Sequence, residues 1–213
     1  ENVKSDIKSI NDVFNVEGLA AGNYTVTAIY SGDELYDSSL VTVNGVKFEV
    51  SKAVPDFNAN ASDVAYGTNI TVVPTINVNN GNVNYVVKDR DGNVVAEGVS
   101  TVGENFTAGL AAGVYTVNAT YLGNENYTDS TVIFNVAVNK ANSTIVIGVE
   151  PEYVYNDTIT IDLSTTGSNG IINVTINGKD YKVINKQVVI KNITAGEYTI
   201  IANLAGDENY TGL

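Results

Sequence analysis

One block of sequence occurs three times. Residues 18–30 read GLAAGNYTVTAIY and run on into SGDELYDSS. Residues 109–121 read GLAAGVYTVNATY and run on into LGNENYTDS, and residues 192–204 read NITAGEYTIIANL and run on into AGDENYTG. The shared tyrosines, Tyr24, Tyr115 and Tyr198, are spaced by 91 and 83 residues. Self-similarity at a fixed period means that one structural unit is being reused, so each block marks the same place in successive modules.

A second element marks the boundaries. FEVSKAVPDFNA holds Lys52 and FNVAVNKANSTI holds Lys140, each between two strand-like runs. These junctions divide the chain into residues 1–52, 53–140 and 141–213. The first segment reads as the C-terminal part of a truncated module and the second as a complete module. The third reads as a module without its last strand, so the chain is expected to be cut from a longer array.

Within a module the pattern is that of strands. In the run from Tyr115 to Tyr121 the odd-numbered residues can face a core and the even-numbered ones are polar, a period of two. Tyr24, Val26, Ala28 and Tyr30 make the same inward set, as do Tyr198, Ile200, Ala202 and Leu204. Asp91-Gly92 and Asn177-Gly178 lie between alternating runs and read as hairpin turns, because these residues tolerate positive φ. The second module reads as seven strands, near 54–60, 68–73, 82–88, 94–99, 102–107, 113–121 and 129–138. That number of short strands predicts a two-sheet sandwich, with an up-and-down barrel as the alternative.

The pattern Ala-Gly-x-Tyr-x-Val selects a version of the sandwich. It matches a tyrosine corner, in which a Tyr near the start of strand F donates its hydroxyl to backbone just upstream. Val26, Val117 and Ile200 then occupy the place that antibody domains give to Cys. The competing reading is a core tyrosine on an ordinary strand. The expected fold class is all-β, as tandem immunoglobulin-like β-sandwich modules.

Composition removes whole classes of function. Cys, His, Met and Trp are all absent, so disulfides, Ser–His–Asp and Cys–His catalysis, and imidazole or thiolate zinc sites are impossible within this chain. Glycoside hydrolysis needs only two carboxylates, but its clefts are usually lined with aromatics, and the tyrosines here repeat with the modules. The expectation is that the chain is not an enzyme. With 24 acidic against 11 basic residues the net charge is −13, which repels phosphate backbones and anionic lipid. No nucleic acid partner is expected, and no apolar run is long enough for membrane insertion.

The block L-x-A-G-x-Y-T-V-x-A-x-Y-x-G-D/N-E-x-Y, carried most fully by Leu110 to Tyr127 and departed from in the third copy at Leu204, resembles the Ig-like repeats of large bacterial and archaeal surface proteins. The Asn-rich, acidic, Cys-free composition is similar to that of adhesin-like proteins of methanogenic archaea. The resemblance implies surface display, in stalks that carry a functional domain elsewhere. It identifies no ligand.

Three constellations are candidates for chemistry. N-x-S/T triplets start at Asn23, Asn60, Asn69, Asn105, Asn118, Asn126, Asn142, Asn156, Asn173, Asn192 and Asn209. Roughly four or five would arise by chance in so Asn- and Thr-rich a chain, so these are glycosylation candidates beside the plain reading of polar surface residues. The acidic loop after the long strand holds Asp33, Glu34 and Asp37, then Glu125 and Asp129, then Asp207 and Glu208. It is a candidate for Ca²⁺ or simply a solvated turn; no other cofactor is implied. Lys52 and Lys140 are candidates for an intramolecular Lys–Asn amide or, more plainly, linker lysines.

These features predict a non-catalytic extracellular stalk at a cell surface, structural or adhesive, in which each module adds roughly 35–40 Å. Its partners are then neighbouring modules of the same array. The alternatives are a filament whose copies join by strand complementation and a module that binds surface glycans or proteins.

Overall fold

The computed structural model describes residues 3–40 and 45–213. Among these residues the regular structure is all β. The first module supplies β1 (Gly22–Val26), β2 (Ile29–Tyr30), β3 (Ser39–Leu40) and β4 (Val46–Val50). β1 pairs antiparallel with β4, Gly22 opposite Val50, and β2 pairs with β3. Tyr24 stacks on Phe48 with ring centroids 5.5 Å apart. The long strand expected over Tyr24–Tyr30 is broken after Val26, and its inward set is not a core: Val26 is 42% exposed. No described residue before Pro55 is buried, because among the described residues no opposing sheet covers these strands.

The second module is a complete sandwich. Its strands are β5 (Phe57–Asn60), β6 (Val64–Ala65), β7 (Ile70–Ile76), β8 (Asn82–Lys88), β9 (Val94–Thr101), β10 (Phe106–Ala108), β11 (Gly113–Tyr121) and β12 (Ser130–Asn139). One sheet has the order β10-β7-β5 and the other β6-β12-β11-β8-β9. Alternation sends Ile70 and Val72 from one sheet, and Val83, Tyr85, Val87, Val117, Ala119 and Tyr121 from the other, into a shared dry core. Tyr85 lies flat on Phe106, centroids 4.9 Å apart, which ties the two sheets together.

Of the differences from the strand pattern expected from sequence, three stand out. β5 starts at Phe57 instead of residue 54, since Pro55 has no N–H to give a ladder. The strand expected over 102–107 shrinks to Phe106–Ala108, because a turn comes first: Glu104 N–H donates to the Thr101 carbonyl, with Gly103 at φ 93°. β6 is additional. It pairs parallel with the end of β12, Val64 opposite Val138.

The third module repeats the plan with β13 (Thr144–Gly148), β14 (Ile159–Thr166), β15 (Ile172–Ile176), β16 (Lys179–Tyr181), β17 (Gln187–Ile190) and β18 (Ile200–Leu204). Its sheets, β13-β14-β17 and β16-β15-β18, match β5-β7-β10 and β9-β8-β11. Ile161, Leu163, Val174, Ile176, Val188 and Ile190 form its core. Asn177 (φ 48°) and Gly178 (φ 78°) join β15 to β16 as a two-residue hairpin turn whose hand suits the strand twist. Leu213 exchanges two backbone hydrogen bonds with Leu204, and the equivalent pair in the second module is Ser130 with Tyr121. The second and third modules are tandem immunoglobulin-like β-sandwiches.

Candidate functional site: a repeated module junction

The acidic loops are built by one local rule. In the second module Asn124 Oδ1 accepts the N–H groups of Asn126 and Tyr127, both at 2.9 Å, and Asn124 N–H donates to the Tyr127 carbonyl. Asp207 does the same for Asn209 and Tyr210, and Asp33 for Leu35 and Tyr36. The position needs a short side chain with an acceptor oxygen, which Asp and Asn supply equally. Asp207 is held below the usual aspartate pKa chiefly by the Asn169 N–H on its other oxygen, then by its own loop amides. Asp33 is lowered chiefly by the Tyr30 hydroxyl, which donates to it at 2.6 Å. These carboxylates are therefore occupied in holding turns. Among the described residues no group of three or more acidic side chains is gathered that could hold a metal ion.

The Asn124 and Asp207 loops also clamp the chain that enters their modules. Ala53 N–H donates to the Asn126 carbonyl and Thr128 N–H to the Ala53 carbonyl, both at 2.9 Å. Ala141 makes the same pair with Asn209 and Thr211. The Lys52 ammonium donates to the Asn124 carbonyl at 2.6 Å, and Lys140 donates to the Asp207 carbonyl. This explains the repeated Lys-Ala and corrects the amide reading. Both lysines are exposed and bound to backbone oxygen, whereas amide formation needs a buried amine that can lose its proton.

The preceding module meets the same loop at its tyrosine-bearing turn. The Tyr24 hydroxyl donates to the Ala20 carbonyl, Tyr115 to Ala111, both at 2.8 Å, and Tyr198 to Thr194 at 2.9 Å. Each hydrogen bond closes a turn that presents the next residue's N–H outward. Ala21 N–H donates to Asn126 Oδ1, and Ala112 N–H to Asn209 Oδ1, both at 2.8 Å. At the second junction Tyr210 also meets Tyr66 edge-on, with centroids 5.4 Å apart and rings at 81°. One loop thus binds its own module's entry strand with its backbone and the previous module with its side chains.

The remaining sequence candidates are dispersed. Asn23, Asn60, Asn69, Asn105, Asn142, Asn156, Asn173 and Asn192 are exposed, as is Asn126, while Asn118 and Asn209 are half-buried. Asn118 Oδ1 accepts the Thr120 hydroxyl. Asn126 and Asn209 differ from the rest because their side-chain oxygens are engaged across a junction. That role had no local signal. Its one trace in the sequence is Leu35, which replaces the asparagine in the first module, where the loop has no preceding module to meet among the described residues.

No family model matches the chain, and no curated protein matches it. Among solved structures it is similar to murine CEACAM1b, at 14% identity over 73% of this chain and 94% of that one, with a TM-score of 0.26. It is also similar to a chain in a complex of a mouse coronavirus receptor-binding domain with its murine receptor, at 15% identity over 74% and 98%, with a TM-score of 0.28.

Proposed function

We propose that the chain is a section of a non-catalytic extracellular stalk on a cell surface, of the kind found in adhesin-like proteins, in which sandwich modules serve as spacers. The observation that carries this reading is the junction. The same loop, Lys-Ala linker and corner N–H recur at both module boundaries, with closely matching distances. A linker hydrogen-bonded to the module it enters leaves little freedom to swing, which suits a spacer better than a pair of independently moving binding domains. Small-angle scattering tests it. The intact chain should scatter as one extended body with a fixed maximum dimension. Replacing Asn126 and Asn209 by Leu should broaden that distribution. Equal broadness in both proteins would reject the stalk reading. A surface location is tested separately by the intact mass of protein from its own source, where sugar on the N-x-S/T sites supports it and an unmodified mass counts against it.

A further inference from the structure

The third module carries both halves of a junction surface at its far end. Its corner is closed by the Tyr198 hydroxyl on the Thr194 carbonyl, which places Ala195 where Ala21 and Ala112 stand in the other modules. Among the described residues Ala195 N–H meets no acceptor. Tyr155 stands where Tyr66 stands: each is followed by a residue of positive φ, Asn156 at 79° and Gly67 at 92°, and then by the Ile-Thr that opens β14 or β7. Tyr66 is half-buried beside Tyr210, whereas Tyr155 is 74% exposed. Ala195, Tyr155 and Tyr198 line one open cleft of about 690 Å³.

We infer that this cleft face is a docking surface for one further sandwich module, whose loop carries Asn-Tyr at the places of Asn209 and Tyr210. The asparagine oxygen takes the Ala195 N–H, and the tyrosine packs edge-on against Tyr155. The inference rests on the array reading and extends it to a surface and a partner chemistry. A second copy of this chain, offering its first module, does not fit. Leu35 stands at the acceptor position, so docking there would cover the Ala195 N–H without pairing it.

Amide exchange followed by NMR tests this on the full chain and on the chain extended after Leu213 by a second copy of residues 131–213. The extension supplies a strand in the register of β12 and then a module with the Asn-Tyr loop. In the unextended chain Ala21 and Ala112 should exchange slowly and Ala195 fast. In the extended chain Ala195 should slow by roughly two- to tenfold, as one net hydrogen bond predicts. Asn209→Leu in the appended copy should restore the fast rate. Fast exchange at Ala195 in the extended chain, with Ala21 and Ala112 still slow, would overturn the docking surface and leave the array reading standing. Slow exchange that persists in the Leu variant would also overturn it, since the added strand alone would then be the cause. Fast exchange at Ala21 and Ala112 would overturn both. Slowing of Ala195 with rising concentration of the unextended chain would identify a second copy as the occupant instead.

Discussion

Val26, Val117 and Ile200 occupy one position of the repeat, two residues after the corner tyrosine, yet the fold asks different things of them. Val117 is fully buried between the sheets of the second module, while Val26 is 42% exposed. Val117→Ala removes two methyl groups from a packed core. At about 0.8 kcal/mol for each buried carbon plus a cavity contribution, the loss is about 2–3 kcal/mol. Val26→Ala removes the same atoms from a site already wet and should cost less than about 0.5 kcal/mol. For a domain of this size 1 kcal/mol moves the midpoint by about 4–8 °C, so Val117→Ala should lower the second module's calorimetric transition by roughly 10–20 °C. Val26→Ala should leave that transition in place. A shift below about 4 °C for Val117→Ala, or equal shifts for both, would refute the claim that core position in the second module, more than repeat position, sets the energetics.

Other perturbations separate the remaining contributions. Tyr115→Phe removes the hydroxyl that meets the Ala111 carbonyl from a ring only 7% exposed, and should cost about 0.5–1.5 kcal/mol by thermal unfolding. Tyr198→Phe, at 38% exposure, should cost less because water replaces the lost donor; the reverse order would contradict the assignment. Because Asp207 has a folded pKa below its ordinary 3.8, its turn keeps its stabilisation above that value and loses it only as pH falls through the lower folded pKa. The Asn209 and Tyr210 amide shifts should therefore titrate only below that value, while Asn126 and Tyr127, held by the neutral Asn124, stay flat. Titration of Tyr127 alongside Tyr210 would undo this account. Gly81→Ala places a Cβ 2.6 Å from the Tyr121 ring at φ 113° and should destabilise by about 2–4 kcal/mol. Gly92→Ala, at φ 86° with open space around it, should cost only about 1–2 kcal/mol in chemical denaturation.

Strands whose side chains alternate between core and water were legible in the sequence, because burial writes itself at every second residue. β11 and β8 fall at their expected places for this reason, and Asn177-Gly178 marks its hairpin by a conformation few other pairs accept. β6 was not legible. Two residues, Val64 and Ala65, carry no period, and their pairing depends on the distant end of β12. The break in the first module's long strand was hidden too, since the same alternating letters give a core only where a second sheet covers them. The junction was hidden most completely. Ala21 and Asn126 are 105 residues apart, and Ala112 and Asn209 are 97 apart, so no local pattern announces either contact. The asparagines that make them also belong to N-x-T triplets, whose chemistry uses the amide nitrogen, whereas the junction uses the oxygen that accepts.

The clamp on Ala53 and Ala141 has a mechanical consequence. Tension transmitted down the polypeptide from a preceding module reaches Lys52 and Ala53 before it reaches β5, and Lys140 and Ala141 before β13. The bonds to the Asn126 and Asn209 loops are therefore the first in line, and because Ala53 and Ala141 run parallel to the loop segments they join, a pull on the linker loads each pair of bonds together in shear.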